Sequence, residues 1–245
     1  MTIAAALVAV AGISAGPAAA ESAAQSGLPP ATPPGVQQVS DEQLSTNWAY
    51  PTRRAAVRSR PASGSRRVAR LRLLTEDGFP ELYVVLQRWT DPQGRLWYRV
   101  RLPMRPNGRK GWVRENALGD LNLVRKMLEI DKKRLRATLY DKGKVVFSAR
   151  IGVGKSGTPT PSGRFYIREK FPVRGNSIYG THAIGTSAYA PSLSDWPGGG
   201  VVGLHGTNRP GLIPGRPSHG CIRLKNRDIQ RLYRLAARGT PIRIH

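Results

Sequence analysis

The chain has one cysteine, Cys221, so no disulfide can form within it and the thiol stays free. Acidic residues are also scarce: 15 Asp and Glu stand against 39 Lys and Arg, for a formal charge of +24. Such a balance bears on solubility and on polyanionic neighbours, not on fold. Nucleic acid, an anionic cell envelope, and plain solvated arginines without a partner all fit it. There is no internal repeat, and only one stretch has a clear helical period. In contrast, 27 Gly and 20 Pro favour strands and turns. A length of 245 residues leaves room for one or two domains with a real core.

No Lys or Arg precedes Arg53, so the opening MTIAAALVAVAGISAGPAAAES lacks the basic segment of an export leader. It has the other parts: an apolar run, a Gly16-Pro17 break, and small residues ending at Ala20 before Glu21. Residues 1–20 are therefore expected to be a signal peptide or a weak membrane anchor, with the protein exported to the cell wall, periplasmic space or exterior. A disordered Ala-rich tail is the bland alternative. Residues 21–46, with SGLPPATPPG, read as a Pro-rich linker.

Residues 47–119 hold short apolar runs (VARLRLL, ELYVVLQRW, LWYRVRL) parted by turns such as Asp91-Pro92-Gln93-Gly94. This spacing predicts a small all-β barrel. Its closing NGRKGWV resembles the Gly-Trp-Val strand of bacterial SH3-like wall-binding domains, which implies anionic wall polymers as possible partners. Residues 123–245 alternate as hairpins around Asp131-Lys132-Lys133 and Asp141-Lys142-Gly143, with RFYIRE, VVGLH and PIRIH as further strands. One amphipathic helix follows, with Asn226 as expected N-cap, Ile229, Leu232, Tyr233 and Ala236 on one face, and Gly239 as the stop. The fold class is mainly β with one C-terminal helix.

ARIGVGKS (149–156) fits a loose phosphate-loop pattern. A true phosphate loop needs a helix beginning at its Lys-Ser pair. Here Pro159 and Pro161 follow, and each excludes helical geometry from the residue before it. A strand, a glycine turn and a rigid extended loop are expected instead.

The stretch PSHGCIRLKN surrounds the thiol. As an extended strand it would put His219 and Cys221 on one face, with Gly220 allowing close backbone approach. His205 ends the apolar strand VVGLH, which could lie beside it. Three chemistries are open: Cys221 as small apolar core, a metal site of His205, His219 and Cys221 with His182 as fourth ligand, or a Cys/His pair for acyl transfer. An imidazole beside the thiol would raise its thiolate character.

HGTNRPGLIPGRPSHGCIRLKN, together with GVGKSGTPTPSGRFYI, resembles the signature segments of the YkuD-type L,D-transpeptidase catalytic domain, in the family's order. Twelve residues separate His205 from Ser218, slightly fewer than is common there, and Arg223 stands where many members have Asn. The resemblance implies a β-sandwich with one helix and a cysteine enzyme without cofactor or metal. Its substrates would be the stem peptides of peptidoglycan, and nucleic acid is not expected as a partner. By resemblance Cys221 is the nucleophile, His205 the general base, and the Gly206 carbonyl the group that orients the imidazole. His219 would support the site, the Gly220 and Cys221 amides would form an oxyanion hole, and Ser218, Arg223 and Tyr179 would meet substrate. The implied product is a 3→3 cross-link, made through a thioester on Cys221 with loss of D-alanine. A non-catalytic wall-binding protein and an L,D-carboxypeptidase that uses water remain alternatives.

Overall fold

The structure, a computed structural model, describes residues 35–175, 177–192 and 199–245. The expected leader and the first part of the expected linker lie outside them.

Strands β1 (Gln37–Gln38), β2 (Thr46–Ala49), β3 (Ala56–Arg58), β4 (Arg67–Arg70), β5 (Tyr83–Thr90), β6 (Leu96–Arg101), β7 (Lys110–Arg114) and β8 (Asn122–Val124) form one sheet. Their order is β4-β3-β7-β6-β5-β2-β8, with β1 added on β5. The linker expected over 21–46 therefore ends early, because Gln37 and Gln38 pair with Arg88 and Gln87. Polar contacts order this stretch, which is why no apolar period marks it. Ser40 Oγ donates to Val85 O at 2.5 Å, and Asp41 Oδ1 accepts the amides of Gln43, Leu44 and Ser45.

Strands β9 (Lys126–Asp131), β10 (Arg136–Asp141), β11 (Lys144–Arg150), β12 (Gly152–Gly154), β13 (Gly163–Pro172), β14 (His182–Tyr189), β15 (Val201–His205), β16 (Gly215–Ser218), β17 (Ile222–Arg223) and β18 (Pro241–Ile244) make the second sheet. Its order is β11-β10-β9-β18-β13-β14-β15-β17-β12-β16. Lys142 and Gly143 both have positive φ (49° and 78°), the conformation a two-residue hairpin turn needs between β10 and β11. Residues from across this order share one core: Leu139 and Phe147 belong to it with Val202, Leu204 and Ile222. Helix α1 (Asn226–Leu235) closes that core with Ile229 and Leu232, both fully buried. The domain is mainly β with one helix, as the alternating and helical periods predict. No helix begins at Lys155-Ser156, where the chain makes a turn after β12, so the phosphate-loop pattern stays a coincidence of sequence.

The two sheets meet along a shared seam. Leu82, Val84, Leu86 and Tyr166 form a small core with Trp48 and Tyr50 against it. Arg168 of β13, fully buried, is bonded by Nε to Glu81 Oε1 at 2.9 Å and by Nη2 to the other Glu81 oxygen and to Glu76. Tyr166 Oη donates to Leu82 O at 3.0 Å, and Phe79 stacks on Phe171 with centroids 5.4 Å apart. Asn107, in the turn between β6 and β7, brackets Tyr189, donating to its carbonyl and accepting its amide at 2.8 and 3.0 Å.

Candidate active site

Strands β15 and β17 run parallel, pairing Leu204 with Ile222 and His205 with Arg223. Two separated sequence segments are thereby set side by side. The expected strand through Ser-His-Gly-Cys is broken, however. His219, Gly220 and Cys221 form a turn between β16 and β17, with Gly220 at φ 125°, a value that suits glycine alone. His219 and Cys221 still line one cleft, through this turn and not through strand alternation.

Hydrogen bonds hold the turn tightly. Ser218 Oγ donates to Cys221 O at 2.5 Å and accepts the Gly220 amide at 3.1 Å. The buried Thr160 of GTPTP donates to Gly220 O at 2.7 Å and accepts the Gly154 amide at 2.9 Å. Lys155 N donates to Ser218 O at 3.0 Å. Two expectations change. The Gly220 amide, expected to donate to an oxyanion, is taken by Ser218 in the resting protein. The Ser218 hydroxyl, expected to meet substrate, closes the turn. The reason is the same for both: a buried tight turn must satisfy its own polar groups.

His205 is 4% exposed, and its Nδ1 lies 2.6 Å from Gly206 O. A carbonyl only accepts, so Nδ1 carries the proton and Nε2 is left as the basic nitrogen. Burial pushes the imidazole pKa down from 6.5 to about 4; the Gly206 bond opposes this and the Arg223 charge adds to it. Burial also pushes the Cys221 thiol up, against the pull of the Gly203 backbone and Arg223. The resting pair is thus a neutral thiol and a neutral imidazole, and the thiolate character expected from adjacency alone does not develop. Desolvation outweighs the neighbour.

A small pocket over Cys221 is lined by Tyr179, His205, Ser218, His219 and Arg223. A larger cleft of about 310 Å³ shares Tyr179, His205 and Cys221 and includes Asp77, Glu169 and Phe171 in its walls. Tyr179 meets the His205 ring edge-on, with centroids 4.8 Å apart. His219 sits exposed at the rim, and Arg223 is half-buried with its Nε lacking a protein partner. Glu169, wedged beside Asp77, has its carboxyl pKa pushed up to about 7 by burial and by that second carboxylate. Thr75 Oγ1 donates to it at 2.5 Å. Among the described residues no group of three or more His, Cys, Asp or Glu is arranged to hold a metal.

Residues 125–244 match the family model of YkuD, the L,D-transpeptidase catalytic domain. The match spans just under half of the chain and identifies these residues as a YkuD-type L,D-transpeptidase catalytic domain. The YkuD protein of Bacillus licheniformis is 37% identical over 106 residues, covering 43% of this chain and 57% of that protein. The YkuD protein of Bacillus subtilis is 35% identical over 108 residues, covering 44% of this chain and 58% of its own length. The chain thus spans somewhat over half the length of these curated relatives. Among solved structures, an Enterococcus faecium L,D-transpeptidase is 26% identical, covers 49% of each chain and gives a TM-score of 0.39. An L,D-transpeptidase from Mycobacterium smegmatis is 17% identical, covering 62% of this chain and 90% of that one, with a TM-score of 0.40.

Three YkuD-domain contacts escaped sequence reading. Thr160 stands inside a motif that was recognised, but nothing in GTPTP says its hydroxyl reaches Gly220. The Gly203 backbone beside the thiol has no side-chain signal. Asn226 reads as a helix cap, yet the cap position is Lys225, and the Asn226 carboxamide accepts the Thr207 amide at 3.1 Å.

Proposed function

We propose that this protein is a cysteine-dependent peptidoglycan L,D-transpeptidase. The observation that carries the reading is the His205 Nδ1 to Gly206 O bond, which leaves Nε2 of a neutral imidazole as base in the cleft that holds the only thiol. The mechanism starts from neutral partners. As Cys221 Sγ attacks the carbonyl at the L-centre of the third stem residue, its proton passes to His205 Nε2. The tetrahedral intermediate collapses as that proton moves to the leaving D-alanine amine, and a thioester remains. A side-chain amine of a neighbouring stem attacks the thioester and gives up a proton through His205. The amide forms, and the thiol is regenerated. With Gly220 N bound to Ser218, the Cys221 amide is the oxyanion donor in this scheme; one such donor contributes about 3–4 kcal/mol in a comparable site.

Arg223, half-buried with an orphaned Nε, suits a substrate carboxylate, and Tyr179 and His219 form the walls around it. The first sheet is proposed as an SH3-like wall-binding module. Export to the cell envelope is part of the same proposal, and the anionic polymers there would suit a chain of formal charge +24.

Incubation with a defined tetrapeptide stem, with and without an amine acceptor, tests the reading. Wild type is expected to release D-alanine and form the 3→3 product, and Cys221→Ala to do neither. Release without cross-linking would favour the carboxypeptidase. Unchanged release by Cys221→Ala would end the cysteine mechanism, and wall binding without turnover would favour the binding module.

A further inference from the structure

Gly206 O and Thr207 N belong to one peptide unit. In a trans peptide the carbonyl and the amide point to opposite sides of a rigid plane, so holding one edge aims the other. The carbonyl edge faces His205 Nδ1 at 2.6 Å. The amide edge faces Asn226 Oδ1 at 3.1 Å. The plane between base and helix is therefore held from both sides.

The fit around this carboxamide is close. A Cβ on Gly206 would stand 2.2 Å from Asn226 Oδ1, and one on Gly180 would stand 2.1 Å from it. Gly180 has φ +68° and directly follows Tyr179, whose ring packs edge-on against His205. Both segments that flank the imidazole thus close over one oxygen. That oxygen is not used for capping: Lys225 is the cap residue, and no side chain caps the helix. Rigidity comes from α1 itself, whose Ile229 and Leu232 are fully buried in the second core.

We propose that Asn226 is a positioning residue for His205: by accepting the Thr207 amide, its Oδ1 aims the Gly206 carbonyl at Nδ1 and so fixes the tautomer that leaves Nε2 basic. The inference rests on the proposed role of His205 for its kinetic consequence only, since the tautomer can be read without turnover. Without the Asn226 acceptor the peptide plane can rotate. The imidazole then loses its fixed partner and divides between two tautomers, one of which presents a protonated nitrogen to the thiol.

The test compares Asn226→Ala, which removes the acceptor, with Asn226→Asp, which keeps an oxygen in its place. Imidazole ¹⁵N spectra at neutral pH should show a single Nδ1-protonated His205 in wild type and in Asn226→Asp, and a tautomer mixture in Asn226→Ala. In D-alanine release, kcat should fall about 10–100-fold in Asn226→Ala with KM nearly unchanged, the range seen when an outer partner orienting a histidine is lost. Asn226→Asp should recover most of it. If Asn226→Ala does not fold, Asn226→Ser, whose hydroxyl falls short of Thr207, carries the test. A folded variant without the acceptor that keeps the wild-type His205 spectrum overturns the proposal. Absence of turnover in wild type would instead remove the transpeptidase reading and leave the tautomer result standing.

Discussion

At the seam between the sheets, Arg168 is fully buried and stays charged, because Glu81 and Glu76 supply two carboxylates within bonding distance. In the cleft, His205 is nearly as buried and stays neutral, because its Nδ1 meets only a backbone carbonyl and the charge acting on it, Arg223, is a cation. Both regions answer the same problem, the high cost of an isolated charge away from water. The seam answers it by pairing and the cleft by giving up the proton. A paired charge is fixed in place, whereas a neutral imidazole can still take a proton from a thiol. Glu169 stands between these cases: it follows Arg168 in β13, lines the cleft, and has its carboxyl pushed up to about 7.

Five substitutions break or sharpen this contrast. The largest effect is expected in the cleft, where His205→Ala removes the proposed base. D-alanine release should fall about 10²–10⁴-fold, while thermal unfolding, followed by circular dichroism, should show a folded protein. At the seam, Arg168→Leu removes the fully buried partner of Glu81 and leaves that carboxylate to Arg72 alone, and should cost on the order of 3–5 kcal/mol by urea unfolding. Adding Glu81→Leu should restore much of that, since an apolar pair can replace a buried ion pair. A double variant no more stable than the single one would show that the pair does more than neutralise itself.

A smaller effect is expected at the turn that carries the thiol. Thr160→Val removes the donor to Gly220 O and the acceptor of Gly154 N, and should cost about 1–3 kcal/mol. Carbapenem acylation of Cys221, followed by intact mass, should slow at the same time. The smallest effects are two opposed pH slopes. His205 has a pKa of about 4 in the folded chain against an ordinary 6.5, so between these values the unfolded chain binds the proton, and its share of stability is lost as pH falls. Glu169 has a pKa of about 7 against an ordinary 4.5, so the folded chain holds the proton, and its share is lost as pH rises through that window. Glu169→Gln should abolish the second slope and leave the first, as read from Tm against pH. Activity should keep its acid limb near pH 4, not near 6.5.

Much of the second domain was legible beforehand because its signals are local. Alternation in RATLY and KVVFS, positive-φ residues at Lys142-Gly143, and the period of Ile229 and Leu232 each reflect the geometry of a few adjacent residues. The site was legible as a cluster of residue types around Cys221 and His205. Its bonding was not, because Thr160 and Gly220 are sixty residues apart and meet only through the sheet. The assignment of Asn226 as a cap shows the same limit. A local rule gives Asn a use at a helix start, and a long-range amide took the carboxamide instead. The folded stretch after residue 36 was hidden because its order comes from Ser40 and Asp41 hydrogen bonds, not from apolar period.

The sequence by itself determined most of the strands and hairpin turns, the one helix, and a lone thiol two residues from a histidine, because backbone preference and side-chain period act over a few residues. Tertiary structure alone decided the protonation of the thiol and imidazole, the use of the Gly220 amide, and the paired charges at the seam. Those depend on burial and on partners far along the chain, and desolvation exists only once the chain has closed around a group.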